Sequence, residues 1–291
     1  MPLALILSSH VAGSRVGGFP QALVLSNWGI DPVLVPTVLF GRRPGRGTPP
    51  GGGAVDEGVF RGMLDGVEAH GLFGLVDTVI TGYFASPGQV RAAAEAIDAV
   101  RVSKREGAFG PRVTVVVDPI MGDEPDGLYV REDVAAALQH ELLPRANLLT
   151  PNLWELRRLS GAEAGSTPAI VEASRGLGRP VLTTSVPMGQ GRIGAVYADE
   201  IRAVAFGHAR LPDPPNGTGD VVAAVLAAGM VEGEPAWLAA EAAIRAAAET
   251  VFAAAEWRAP ELPIVALGPR LRHPTAQLAI EPLDGPAAGG A

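Results

Sequence analysis

Short runs of apolar, largely β-branched residues recur along this chain, with helical patterns between many of them. The runs cover residues 3–8, 33–38, 76–81, 113–118, 148–150, 181–184 and 193–197. Runs of this length are typical of strands buried on both faces. Strands that alternate with helices form a mainly parallel sheet covered by helices on its two faces. We therefore predict an α/β protein with three layers, α/β/α.

Helix starts can be identified between these runs. Ser86-Pro87 and Thr167-Pro168 each place a capping residue before a proline, and a third helical pattern carries Val134. No internal repeat or interdomain linker is visible. We therefore expect residues 1–291 to form a single domain.

Composition excludes several classes of protein. The net charge of -8, from 23 basic and 31 acidic residues, lacks the basic field of a nucleic-acid-binding protein. Without cysteine, disulfides and thiolate zinc sites are impossible. The apolar start of the chain lacks the basic region of a signal peptide, and no run reaches the roughly 20 apolar residues of a membrane span. We expect a soluble, cytoplasmic protein with neither nucleic acid nor membrane as partner.

Two segments depart from the alternating pattern. Residues 41–53, rich in glycine, arginine and proline, carry no side chain that could pack into a core. They are expected to form a flexible surface loop, which either only solvates the surface or acts as a flap over an active site. The chain from about residue 269 to 291 is expected to be frayed.

Ligands of an open parallel sheet bind at the carboxyl ends of its strands. The polar residues that follow the apolar runs are therefore candidate site residues. They are Ser9, His10, Thr37, Gly82, Tyr83, Asp118, Thr150, Asn152, Glu155, Thr184 and Ser185.

The most informative peptide is Asn216-Gly217-Thr218-Gly219-Asp220, which precedes a strongly apolar helical stretch. Glycines before a helix let backbone N–H groups point at an anion, and the helix dipole strengthens that attraction. The Asp220 carboxylate beside such a cradle is placed to accept the proton of an attacking hydroxyl. The alternative is a tight glycine turn, with Asp220 stabilising the first turn of the helix by its charge.

Two further motifs carry carboxylates. Asp118 ends a buried strand and Asp123 follows closely, an arrangement that suits Mg²⁺, although turn capping also explains Asp123. Asn152 and Glu155 stand three residues apart, as in a capping box. The cap by itself explains that spacing, so a metal or nucleotide contact remains an open alternative.

Some nucleotide-binding motifs are missing. The chain has no Gly-x-x-x-x-Gly-Lys-Ser/Thr sequence, and its single lysine, Lys104, follows a predicted helix. The glycine-rich sequence at residues 189–194 lies between two predicted strands and opens no helix, so we interpret it as a β-turn. Phosphate charge must therefore be met by backbone amides, a metal ion or arginine.

Taken together, these motifs resemble the pyridoxal kinase family of the ribokinase-like superfamily, over most of the chain. The Gly217-Thr218-Gly219-Asp220 motif is shared by the superfamily, whereas the tract at residues 118–130 points to pyridoxal kinases. The resemblance implies a ribokinase-like fold. It also implies ATP-dependent phosphorylation of the 5'-hydroxymethyl group of pyridoxal, pyridoxine or pyridoxamine, with Mg²⁺, often K⁺, in a homodimer.

The resemblance also implies roles for individual residues. Asp220 would be the base, and the amides of Gly217, Thr218 and Gly219 would stabilise the transferred group. The vitamer would contact Ser9, Val16, Thr37 and Tyr83. Asp118 and Glu155 would hold magnesium, largely through water, and the ATP phosphates would meet Thr150, Asn152, Thr184 and Ser185.

Two departures from the family pattern lie on the substrate side. Residues 41–53 replace the family's Ser-Asn-His-Thr-x-Tyr, and Gly17-Gly18 stands where the family has Gly-Asn. Two alternatives to a pyridoxal kinase therefore stay open. One is a hydroxymethylpyrimidine or sugar kinase, and the other is a silent member that binds a vitamer or nucleotide as a sensor.

Overall fold

A computed structural model describes residues 1–45, 48–104 and 112–284. Its strands are β1 (Leu3–Val11), β2 (Asp31–Phe40), β3 (Gly52–Ala54), β4 (Val76–Thr81), β5 (Thr114–Val117), β6 (Gly122–Asp123), β7 (Gly127–Leu128), β8 (Leu148–Leu149), β9 (Val181–Pro187), β10 (Arg192–Ala198), β11 (Ala203–Ala209) and β12 (Ala279–Pro282). Its α-helices are α1 (Gly18–Asn27), α2 (Glu57–Ala69), α3 (Pro87–Ser103), α4 (Glu132–Ala137), α5 (Leu153–Ser160), α6 (Thr167–Gly176), α7 (Thr218–Val231), α8 (Ala236–Trp257) and α9 (Ile264–Leu267).

The central sheet has the strand order β12-β11-β10-β9-β8-β5-β4-β1-β2-β3 in the described ranges. The strands from β2 through β1, β4, β5 and β8 to β9 run parallel. Antiparallel strands close both edges, β3 at one and β10, β11 and β12 at the other. The short hairpin of β6 and β7 stands apart from this sheet. The predicted mainly parallel sheet is confirmed.

Strand β1 shows why both faces of the sheet carry helices. Leu5 and Leu7 pack with α2 and α3 on one face, while Ala4 and Ile6 pack with α1, α7 and α8 on the other. Successive side chains of a strand point to opposite faces of the sheet, so a continuous apolar run must be covered by helices on both faces. The three-layer α/β/α architecture follows.

The chain beyond residue 269 differs from the expected frayed tail. A 3₁₀ helix spans Gly268–Arg272, and β12 pairs antiparallel with β11. The Leu283 N–H also donates to the Ala203 carbonyl at 2.9 Å. Pairing with β11 satisfies backbone groups of this segment, and Leu271, Leu278 and Leu283 pack into or against the core clusters. The expectation is therefore wrong up to residue 284, and residues 285–291 lie outside the described part of the chain.

The β-turn predicted at residues 189–194 is confirmed, and the single lysine, Lys104, directly follows a helix as expected. Residues between β9 and β10 form a tight turn, in which the Arg192 N–H donates to the Gly189 carbonyl at 2.9 Å. Lys104 forms a buried ion pair with Asp77 at 2.6 Å. Asp77 lies at the amino end of β4, whereas the predicted site lies at the carboxyl ends of the strands.

Within the described residues, no helix is both long and apolar enough to cross a bilayer.

Candidate active site

A cavity of about 620 Å³ opens at the carboxyl ends of β5, β8 and β9, beside the start of α7. Asp123 lines it, and so do ten residues to which the family resemblance gave nucleotide, metal or catalytic roles. They are Asp118, Thr150, Asn152, Glu155, Thr184, Ser185, Gly217, Thr218, Gly219 and Asp220. The fold thus brings the predicted nucleotide and catalytic residues to one place.

The start of α7 has the form of an anion cradle. The helix begins at Thr218 after Gly217, whose φ of 100° is left-handed, and no side chain caps its first turn. A Cβ atom at Gly217 would stand 1.9 Å from the carbonyl oxygen of Arg15, so only glycine fits there. First-turn N–H groups without a cap are free to bind an anion at the positive end of the helix dipole.

Asp220, in the first turn of α7, is 7% exposed. The Gly17 N–H donates to its Oδ2 at 2.8 Å, and Gln21 Nε2 donates to its Oδ1 at 3.2 Å. Burial raises the pKa of Asp220 well above its usual value, the charge of Asp118 adds to this, and the Gly17 hydrogen bond opposes it. A raised pKa brings a carboxylate closer to the range of an effective general base.

Gly17 and Gln21 come from the segment that joins β1 to α1. Gly17 has a φ of 76°, and a Cβ atom there would stand 2.1 Å from Ser9 Oγ. Sequence reasoning noted Gly17 only as a departure from the family and missed Gln21. No local signal marks either residue, because their partner lies about 200 positions later in the chain.

Asp118 follows β5 and is 6% exposed. Burial raises the pKa of this carboxyl to about 7, and the neighbouring Thr150 hydroxyl partly lowers it. A buried carboxylate whose charge is this costly gains from a nearby cation. Asp118 therefore fits a hard divalent cation such as Mg²⁺.

Glu155 forms the capping box predicted for α5. The Asn152 N–H donates to Glu155 Oε2 at 2.9 Å, and the Glu155 N–H donates to Asn152 Oδ1 at 2.9 Å. Glu155 Oε1 accepts the Met121 N–H at 2.9 Å, which ties the loop after β5 to the helix. Burial and the charge of Asp118 raise the pKa of Glu155, against these backbone hydrogen bonds.

Because backbone donors occupy both oxygens of Glu155, this side chain fits a cation through bridging water better than by direct contact. The described ranges contain no cluster of three or more His, Cys, Asp or Glu residues that could hold a metal by side chains alone. A cation at Asp118 would need oxygens from water or from a ligand, which is the usual environment of Mg²⁺.

A bulge in β9 shapes the neighbouring wall of the cavity. The pairing of β9 with β10 shifts between Gly194 and Val196, opposite Thr184 and Ser185, and Ser185 has a φ of 59°. Thr184 also forms a parallel bridge with Asn152. A bulge redirects side chains at the end of a strand, and here it brings two hydroxyl groups to the cavity.

The far wall of the cavity was missed by sequence reasoning. It is formed by apolar side chains of β10, the segment after β11 and α8, namely Ile193, Leu211, Ile244, Ala247 and Val251. In the sequence these residues cannot be told from ordinary core residues. Their position beside the cavity depends on how β10, the segment after β11 and α8 pack together.

The predicted vitamer residues form a separate group that does not line this cavity. The Thr37 hydroxyl donates to the Tyr83 carbonyl at 2.6 Å. Ser9 is buried beside Gly17, and half-buried Val16 directly precedes Gly17. Since the Gly17 N–H binds Asp220, this group adjoins the Asp220 carboxylate, the predicted base, through one backbone segment.

Residues 76–263 match the phosphomethylpyrimidine kinase family. The pyridoxine/pyridoxal/pyridoxamine kinase of Bordetella avium is 35% identical over 248 residues, which cover 82% of this chain and 81% of that protein. The chain belongs to the pyridoxal kinase family of the ribokinase-like superfamily. A pyridoxal kinase PdxY of Leifsonia xyli is 32% identical over 256 residues, 85% of this chain and 86% of its own.

Solved pyridoxal kinases share the fold. The enzyme from Leishmania donovani in complex with ADP and pyridoxine superposes with a TM-score of 0.86 at 25% identity, over 97% of this chain and 99% of that one. The ribokinase-like fold predicted from the sequence is thereby confirmed.

Proposed function

We propose that this protein is a pyridoxal kinase that transfers the terminal phosphoryl group of ATP to the 5'-hydroxymethyl group of pyridoxal, pyridoxine or pyridoxamine. The observation that carries the proposal is the buried Asp220 carboxylate beside the uncapped start of α7, in a chain of this family. A base next to an anion cradle serves the attack of an alcohol on a phosphoryl group.

In this mechanism Asp220 accepts the proton of the attacking hydroxyl. The N–H groups of Gly217, Thr218 and Gly219 stabilise the charge on the transferred group. Thr150, Asn152, Thr184 and Ser185 bind the nucleotide phosphates from the opposite wall of the cavity. The apolar wall formed by Ile244 and Val251 suits the base of the nucleotide.

Asp118 and Glu155 would hold Mg²⁺, Asp118 by its carboxylate and Glu155 through water. When bound, the ion neutralises charge on the phosphates of ATP. A requirement for K⁺ also belongs to the proposal.

The vitamer side is assigned to Ser9, Val16, Thr37 and Tyr83. Their support is their connection to Asp220 through the segment that contains Gly17. The proposal further includes a homodimer and a cytoplasmic location.

A coupled ATP assay tests this function with pyridoxal, pyridoxine, pyridoxamine, hydroxymethylpyrimidine and ribose as acceptors. We expect turnover with at least one of the three vitamers, strongest with Mg²⁺, and we expect chelation to abolish it. Omitting K⁺ tests the monovalent ion in the same assay. Preference for hydroxymethylpyrimidine or ribose would instead identify a related kinase, and vitamer binding without turnover would identify a sensor.

A further inference from the structure

Gln21 occupies an unusual position for an amide side chain. It lies in α1 with no solvent exposure, where the helix packs against the apolar α7. Its Nε2 donates to Asp220 Oδ1 at 3.2 Å, and its Oε1 is buried without a hydrogen-bond partner among the described residues. A buried acceptor left unpaired costs about 1–3 kcal/mol. The amide therefore carries a cost at Oε1 while its Nε2 hydrogen-bonds a buried carboxylate.

The orientation of this amide follows from its partner. In the deprotonated form that acts as a base, the Asp220 carboxylate can only accept hydrogen bonds, so in that form the NH₂ group of Gln21 faces it. Turning the amide over would satisfy neither group, because two acceptors would then face each other. The unpaired Oε1 is therefore the consequence of keeping a donor on Asp220.

The two donors hold different oxygens of Asp220. The Gly17 N–H binds Oδ2, and Gln21 binds Oδ1. With both oxygens held, the plane of the carboxylate is fixed, while each oxygen keeps a second lone pair for a substrate proton. Fixing a general base within a few tenths of an ångström is what a reactive geometry demands.

We propose that Gln21 is a positioning residue that orients the Asp220 carboxylate for proton transfer. This inference rests on the proposed function. It places a determinant of the reaction on α1, outside the cavity and outside the Gly217-Thr218-Gly219-Asp220 peptide. Gln21 does not touch substrate, and it acts through Asp220.

The test combines Gln21→Met with Asp220→Asn in a double-mutant cycle. Methionine has nearly the shape of glutamine but no donor. Gln21→Met loses the hydrogen bond to the charged Asp220 carboxylate, so it should lower kcat roughly 10- to 100-fold. KM for ATP and for the vitamer should stay within about twofold, because neither ligand loses a contact. The melting temperature should change little, because removing an unpaired buried acceptor and removing the hydrogen bond to Asp220 act in opposite directions.

The cycle then separates positioning from packing. If Gln21 acts through Asp220, adding Gln21→Met to Asp220→Asn should cause no further loss of rate. A folded Gln21→Met protein with wild-type kcat, or equal losses in both backgrounds, would overturn the inference. Gln21→Asn serves if the methionine variant does not fold. One methylene shorter, it should lose the contact and show the same fall in kcat, and wild-type kcat in that folded variant would also overturn the inference.

Gln89→Met is the matched control. Gln89 is equally buried, but its three hydrogen bonds, with Ala85, Thr37 and Val55, all go to backbone groups. This change should lower the melting temperature, and any effect on rate should combine independently with Asp220→Asn. The cycle also distinguishes the two proposals. Wild-type turnover in the Asp220→Asn variant would contradict the assignment of Asp220 as the base. A large loss of kcat in that variant, with no loss in the Gln21 variants, would contradict only the positioning role of Gln21.

Discussion

At the scale of single residues, the site is governed by the cost of burying carboxylates. Asp118, Glu155 and Asp220 are each less than a tenth exposed, and burial raises the pKa of all three. Backbone and side-chain donors offset part of that cost at Glu155 and Asp220. Asp118 has the least compensation, which makes it the place where a cation would be most stabilising.

Asp220→Asn tests the assignment of the base. Positioned proton transfer contributes roughly 10² to 10⁴ in rate, so kcat should fall by about that factor. Asparagine keeps the shape of the side chain, and ATP binding measured by calorimetry should therefore survive. Wild-type turnover with the natural substrate would contradict the assignment.

Asp118→Asn tests the cost of the buried charge. The pKa of Asp118 in the folded protein is about 7, above its usual value of 3.8. At pH values between these two pKa values, Asp118 is protonated in the folded protein and ionised in the unfolded chain. The resulting stability is complete below the lower pKa and is lost as the pH rises through about 7.

Asparagine at position 118 cannot ionise, so it escapes this loss. In ligand-free protein without metal, the variant should gain stability over the wild type as the pH rises, up to about 4 kcal/mol above pH 7. Denaturant unfolding at several pH values measures the difference. Parallel pH profiles for the two proteins would show that Asp118 is not held in its neutral form.

Glu155→Gln separates the cap from the metal contact. Glutamine keeps a hydrogen-bonding side chain without the charge, so magnesium dependence should be unchanged if Glu155 only caps α5. If Glu155 also assists the metal, the Mg²⁺ concentration for half-maximal rate should rise. An unchanged magnesium titration in the folded variant would leave only the capping role.

At the scale of elements, the larger of the two departures from the family pattern lies in the β2–β3 hairpin and the residues between its strands. β3 pairs with the end of β2, and Gln89 Nε2 bonds the carbonyls of Thr37 and Val55 at its base. Arg43 in this segment contributes to the electrostatics of Asp123, a cavity residue. Burial and the charge of Asp126 raise the pKa of Asp123, while Arg43 lowers it. Arg43 therefore lies near enough to this cavity residue to affect its charge.

The hypothesis that residues 41–53 act as a flap predicts a kinetic effect. β3 begins at Gly52, so only residues 42–50 should be replaced by a short Gly-Ser linker. Phosphoryl transfer to an alcohol must exclude water, which competes as acceptor. The replacement should raise KM for the vitamer and increase ATP hydrolysis without acceptor.

Single changes of Arg42 and Arg43 to serine test whether these charges meet the triphosphate. Arg46, the third arginine of residues 41–53, lies outside the described residues. Unaltered kinetics in the loop-replaced protein would leave only a role in solvating the surface.

At the scale of the whole molecule, antiparallel strands close a parallel core at both edges. β12 covers the edge of β11, and the Arg175 guanidinium binds the Asp284 carboxylate beside it at 2.8 Å. An uncovered edge strand loses backbone partners and invites pairing with another chain. The last described segment therefore contributes to stability and to solubility.

Truncation after Gln277 should reveal that contribution. Loss of β12 should lower the melting temperature and increase light scattering on heating, because the edge of β11 becomes free. A chain that ends at Asp284 is the matched control, since it keeps β12. Equal melting temperatures for the two truncated chains would show that β12 adds no stability.

Much of the fold could be predicted because buried strands and helix caps leave local patterns. The runs at residues 76–81 and 181–184 lie in observed strands, and the Asn152–Glu155 spacing forms the expected capping box. β12 was missed because its residues are exposed and its partners, the edge of β11 and Arg175, lie far away in the sequence. Local patterns cannot report a partner that lies elsewhere in the chain.

The layered parallel sheet and the glycine turn that precedes α7 could be predicted from the sequence alone, since each depends on residues close together in the chain. Only the tertiary structure decided how Asp220 is held. Gly17 and Gln21 reach it across about 200 positions, and the bulge at Ser185 depends on the register of β10. Burial, and with it the raised pKa of Asp118, likewise arises from packing between elements, which no local pattern of residues specifies.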